Sequence, residues 1–126
     1  MELAKLLRSV EMFAGLAPDD LQKLASIFVE RHLQENEVIF HEGDIAESLF
    51  LVMSGFIEVV KEDSPRSEGR VLVNLGPGQS VGEMSLIDHG LRSATVRAST
   101  SDTVIASVSR EAFDAFCESN TLIGYR

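Results

Sequence analysis

A single cysteine, no tryptophan, one tyrosine and three prolines leave this 126-residue chain without several common structural devices. The lone Cys117 excludes an intramolecular disulfide and any multi-cysteine metal or cluster site within the chain. Basic charge is scarce as well: 11 Lys and Arg stand against 20 Asp and Glu, for a formal net charge of −9. A duplex-binding surface must neutralise phosphates with clustered basic side chains, so nucleic-acid binding by this chain alone is not expected. A small anion is still compatible, because a local pocket can be positive inside an acidic protein. Apolar runs are short, and none approaches the roughly 20 residues that a spanning helix needs, so no membrane partner is expected. Met1–Val10 sets Glu2, Lys5 and Arg8 among its leucines, unlike a secretory leader, and Met1 reads as a natural start. Together these absences predict a reducing, cytoplasmic setting.

What is present is the composition of one folded domain, with 44% hydrophobic and 25% charged residues. Leu3, Leu6, Leu7 and Val10 form one apolar stripe at helical spacing. After Gly15, Pro18 suits a first helical position and Asp19 and Asp20 favour a helix N-terminus; Leu21, Leu24, Ala25 and Phe28 then repeat the stripe. From about residue 29 to 108 the pattern changes to short β-prone runs: Val38–Phe40, Leu49–Met53, Phe56–Lys61, Arg70–Leu75, Ala94–Ala98 and Thr103–Val108. Turn residues separate them, Gly43, Gly55, Gly76 and Gly78 among these, and Glu62–Gly69 reads as an exposed hairpin loop. This tempo predicts a mainly β, antiparallel sandwich or barrel. Ser109 then caps a last helix that carries Ala112, Phe113, Phe116 and Cys117 on one face. The expected organisation is one domain over 1–126, with helices at 1–28, a β-roll at 29–108 and a C-terminal helix at 109–126.

The segment from Ser80 to Ala98 carries the chemistry. A β-like run leads to Gly82, a short helix-like piece spans Glu83–Ile87, and a polar turn Asp88–Gly90 precedes Arg92 and Ser93. Gly82 lets a backbone come close to a ligand, since no Cβ intervenes. The first amides of a short helix have no internal partner and suit an anion. Arg92 offers a planar, permanently charged fork for phosphate oxygens, Ser93 adds a hydroxyl, and Glu83 can accept from a sugar hydroxyl. His32, His41 and His89 show no spacing for a shared metal and read as surface or loop residues. Arg97 is expected to face solvent from an alternating strand.

Gly82-Glu83-Met84-Ser85-Leu86 followed by Arg92-Ser93-Ala94-Thr95-Val96 resembles the phosphate-binding cassette of the cyclic nucleotide-binding domain family. The resemblance extends to Glu42-Gly43-Asp44, Leu49–Gly55 and Gly76-Pro77-Gly78-Gln79, so it covers nearly the whole chain. It implies a jelly-roll or double-stranded β-helix with flanking helices and a short cassette helix. It further implies that Glu83 accepts the ribose 2′-hydroxyl and that Arg92 pairs with the cyclic phosphate. Ser93, with Ala94 beside it, and the amides of Met84 and Ser85 would complete the phosphate shell, and Gly82 would permit the approach. Two positions depart from the family pattern: Leu91 stands where proline is frequent, and Ser85 where alanine or glycine is common. Val59, Val71 and Val73 are candidate walls for the base but are read first as core. In the family a long helix covers the base, and only Asn120–Arg126 stands where that helix would begin.

The function this implies is a sensor or regulatory module for a cyclic nucleotide, cyclic AMP before cyclic GMP, with no further cofactor. Binding would move the C-terminal helix, which a downstream effector domain or protein would read, and the chain is expected to be monomeric. The alternatives are a ligand-free β-roll scaffold for protein interaction, or the sensor half of a larger transcription regulator. Catalysis is not expected: there is no nucleophile–base pair, no metal cluster and no Walker-type loop.

Overall fold

The computed structural model describes residues 3–10, 13–61, 70–82 and 90–119. Its elements are helices α1 (Leu3–Leu7), α2 (Pro18–Ala25) and α3 (Arg110–Ser119), and eight strands. The strands are β1 (Val29–Leu33), β2 (Val38–Phe40), β3 (Ser48–Ser54), β4 (Ile57–Lys61), β5 (Arg70–Leu75), β6 (Ser80–Val81), β7 (Thr95–Ala98) and β8 (Thr103–Ser109). They form two four-stranded antiparallel sheets, ordered β1-β8-β3-β6 and β2-β7-β4-β5. The expected β-roll is therefore present.

Strand alternation explains why β3 reads as an almost unbroken apolar run. Leu49, Leu51 and Met53 point to one side, against a cluster that includes Leu7, Leu21, Leu24, Phe116 and Cys117 from the helices. Phe50 and Val52 point to the other, into the roll with Leu33, Phe40, Ile57, Val96 and Ile105. One strand thus faces both cores, as its sequence period of two requires. Each fully buried aliphatic or aromatic side chain here contributes about 1.5–3 kcal/mol relative to exposure. Ser109 caps α3 as expected, its Oγ accepting from the Ala112 amide at 3.1 Å.

One strand escaped the sequence pattern, and another was read only as the β-like run before Gly82. β1 is polar and exposed along Val29–His32, with only Leu33 buried, so it shows no apolar alternation. β6 is two residues long and takes its place from pairing with Phe50 and Leu51. The reading of Val71 and Val73 as core is corrected: both are 44% exposed, because β5 is the outer strand of its sheet. Val59, on the neighbouring β4, does pack against the roll's core. Arg97 lies on the outer face, but its Nε pairs with the Glu58 carboxylate across the β4–β7 ladder at 2.7 Å. His32 and His41 are exposed, as read. The hairpin loop 62–69, the cassette helix at 83–87, His89 and the terminal 120–126 lie outside the described residues.

Candidate functional site

The two sheets leave a cavity of about 290 Å³ between them, close to the lower bound of typical small-molecule pockets. Its walls are apolar at Phe40, Ala46, Val59, Val81 and Val96, and its rim is the segment from Gly90 to Ala94 with Gly82 opposite. Of the sequence-predicted site residues, Gly82, Arg92, Ser93 and Ala94 therefore meet at one cavity. Glu83, Met84 and Ser85 lie outside the described residues.

Backbone bonds hold the rim in place. Residues 43–46 run antiparallel to 90–92: the Gly43 amide donates to the Arg92 carbonyl at 2.8 Å, the Arg92 amide to Asp44 O at 2.7 Å, and the Ala46 amide to Gly90 O at 2.9 Å. The Ile45–Leu91 bridge lies between these bonds. Leu91 itself is 67% exposed, and the bonds that clamp the segment do not use its amide, so the position suits either leucine or proline. Ser93 is exposed at a bend, and its carbonyl accepts from Lys61 Nζ at 2.8 Å. Lys61 also pairs with Glu42 at 3.2 Å.

Arg92 is the one buried cation among the described residues, 8% exposed. Its Nη2 donates to the Ser48 carbonyl at 2.7 Å. Its guanidinium carbon stands 4.1 Å from the centroid of Phe40 and 5.5 Å from that of Phe50. Its Nε is buried with no hydrogen-bond partner. Burial pushes the guanidinium below its ordinary pKa, and the Asp44 carboxylate opposes that shift. A buried, partly satisfied cation is costly, and an unpartnered N–H at an apolar cavity is what an entering anion would satisfy.

Gly82 lines the cavity and also makes room for Arg92. Its φ is +86°, and a Cβ there would stand 2.5 Å from Arg92 Nη1 and 2.8 Å from Ser48 O. The space the missing side chain frees is taken in this structure by the arginine's own guanidinium and its acceptor.

The same short strap reaches the last helix. The Arg110 amide donates to Glu47 O at 2.7 Å and its Nη2 to Ala46 O at 2.6 Å. Three successive carbonyls, of residues 46, 47 and 48, thus hold the first residue of α3 and the cavity's arginine. Sequence reasoning missed Phe40, Phe50, Ser48, Lys61 and Arg110 as neighbours of the site. Apolar residues in β-like runs read as core, and nothing local marks a backbone carbonyl as an acceptor.

A model of the cyclic nucleotide-binding domain matches residues 30–120. The chain is 36% identical over 114 residues to the cyclic AMP receptor protein of Thermus thermophilus, covering 90% of this chain and 52% of that protein. It is 30% identical over 114 residues to a cGMP-dependent protein kinase of Drosophila melanogaster, covering 90% of this chain and 12% of the kinase. Among solved structures it superposes with TM-score 0.86 on the N-terminal domain of a transcriptional regulator from Streptomyces coelicolor, at 27% identity, covering 94% and 83% of the two chains. The chain spans about half the length of the receptor protein and about an eighth of the kinase. With the antiparallel roll, the cavity and the buried arginine in place, the chain belongs to the cyclic nucleotide-binding domain family.

Proposed function

We propose that this chain is a sensor module that binds cyclic AMP in preference to cyclic GMP, with Arg92 anchoring the cyclic phosphate. The observation that carries this reading is Arg92, a buried guanidinium that lines the cavity and whose Nε has no partner. Ser93 and Ala94 stand beside it on the rim. Met84 and Ser85 would lend their amides, and Glu83 would accept the ribose 2′-hydroxyl. A cyclic diester carries one negative charge, which one guanidinium neutralises; a dianionic monophosphate would leave a surplus charge in an apolar site.

The output is movement of α3, biased by differential affinity between two states. Its support is the strap 46–48, which holds Arg92 at one residue and Arg110 at the two before it. The module itself is read as non-catalytic, cytoplasmic and monomeric, passing its signal to an effector domain or partner protein. No described helix is long and apolar enough to cross a membrane.

Calorimetric titration with cyclic AMP and cyclic GMP tests the reading. The wild type should bind, cyclic AMP more tightly. Arg92→Ala should lose about 30-fold to several thousand-fold, the equivalent of about 2–5 kcal/mol for a buried charged partner. Failure of the wild type to bind either nucleotide overturns the function. Equal affinity for the 2′-deoxyribose analogue would remove Glu83 from the site.

A further inference from the structure

We propose that Phe40 is a positioning residue for Arg92: its ring face fixes the plane of the guanidinium and so sets the affinity of the cavity for a phosphate anion. The proposal rests on the reading of Arg92 as the phosphate anchor. It goes beyond that reading by naming what orients the anchor.

A guanidinium held by one hydrogen bond can still turn about the donor–acceptor line. At Arg92 the Nη2 bond to Ser48 O fixes one corner of the fork, while Nε has no partner. The remaining constraint comes from the faces. Phe40 stands 4.1 Å from the guanidinium carbon, well inside the range of a cation–π contact, and Phe50 stands 5.5 Å away. The two rings lie 5.6 Å apart at 36°. Phe40 comes from β2 and Phe50 from β3, one from each sheet, so the cation is seated where the sheets face each other. Phe40 is opposite Val96 in the β2–β7 ladder, and β7 begins three residues after Arg92. The ring and the arginine therefore share one backbone frame.

A plain core role for Phe40 makes a different prediction. Leucine retains an apolar side chain but lacks the negative π-face, whereas tyrosine keeps the face and adds only a hydroxyl. If Phe40 merely fills the roll, the two should differ in stability alone. If it orients Arg92, they should differ at the guanidinium and in ligand affinity.

The test uses the full chain in two measurements. In the ligand-free, 15N-labelled protein the Arg92 Nε–H resonance, assigned by its absence in Arg92→Lys, should be visible and protected from solvent exchange. Phe40→Tyr should keep it, and Phe40→Leu should lose it. Titration with cyclic AMP should show Phe40→Leu weakened about 5–30-fold and Phe40→Tyr near wild type. In the Arg92→Lys background, Phe40→Leu should change affinity by less than about threefold, since the two act as one unit. Should Phe40→Leu fail to fold, Phe40→Met carries the same expectations. A resonance and an affinity equal in the leucine and tyrosine variants overturn the proposal. If the wild type binds no cyclic nucleotide, the functional reading falls. The resonance then decides the positioning role: lost in leucine and kept in tyrosine supports it, unchanged in both overturns it.

Discussion

The backbone of Gly82 and the guanidinium of Arg92 compete for one space: a side-chain carbon at residue 82 would stand 2.5 Å from Nη1. The glycine is thus a condition for the arginine's position before any ligand arrives.

Gly82→Ala should therefore be felt twice. The φ of +86° is a region that non-glycine residues occupy at a cost of about 1–3 kcal/mol, and relieving the overlap means moving Arg92 Nη1 or Ser48 O. Denaturant unfolding should show a loss of at least that size, and titration with cyclic AMP a weaker affinity. An unchanged midpoint and affinity would contradict the shared-space account.

Arg92→Met should separate stability from binding. Methionine keeps much of the side-chain length, loses the ring-face attraction of Phe40 and leaves Ser48 O without this donor, but it also removes a desolvated charge. The ligand-free variant should lie within about 1 kcal/mol of wild type, because the opposing terms are each of that order. Its affinity for cyclic AMP should fall at least about 30-fold. A stability loss beyond about 3 kcal/mol would mean that the cation supports the fold as a buried pair would.

Lys61 ties the rim through the Ser93 carbonyl and Glu42. Both groups of the ion pair are about one-third exposed, so Lys61→Met should change stability by less than about 1 kcal/mol. Ligand affinity should weaken a few-fold, because the bend at Ser93 loses its tether. Titration at low and high salt separates this from long-range charge, which salt screens; a loss that vanishes at high salt would refute the tether.

Cys117 gives a pH prediction. Burial, with Asp114 second, pushes its thiol above the ordinary value of 9.0. The folded state thus favours the protonated thiol. That stabilisation is fully present below the unfolded pKa and is lost as pH rises through the folded one, since the unfolded chain then binds fewer protons. Wild type should lose stability relative to Cys117→Ala, measured in parallel, as pH rises past the ordinary thiol value. Parallel curves for the two proteins would contradict it. Thiol reagents should also react slowly with the folded chain.

Much of the fold was legible because its strands obey a local rule. Leu49–Met53 and Thr103–Val108 advertise themselves with apolar residues, and Ser109 announces the helix it caps. β1 was hidden because four of its five residues face water. Val71 and Val73 misled because apolar content does not tell an outer strand from a central one. In the site, Gly82 and Arg92 were found from their spacing in one segment. Phe40, Ser48 and Lys61 were not, since they reach Arg92 and its rim from three other strands and only the folded topology brings them together.

The carbonyls of residues 46, 47 and 48 also set the scale on which this molecule could convert occupancy into motion. Arg92 hangs from the last of them and Arg110 from the first two, so cavity and helix are separated by a single peptide plane. On the proposed reading, an anion that draws the guanidinium away from Ser48 acts on the carbonyl next in sequence to the two that hold the start of α3. The three acceptors are main chain, so side-chain substitutions at Ala46, Glu47 or Ser48 would leave these bonds in place, whereas exchanging Arg110 would remove the bond to Ala46 O and keep only the amide bond to Glu47 O.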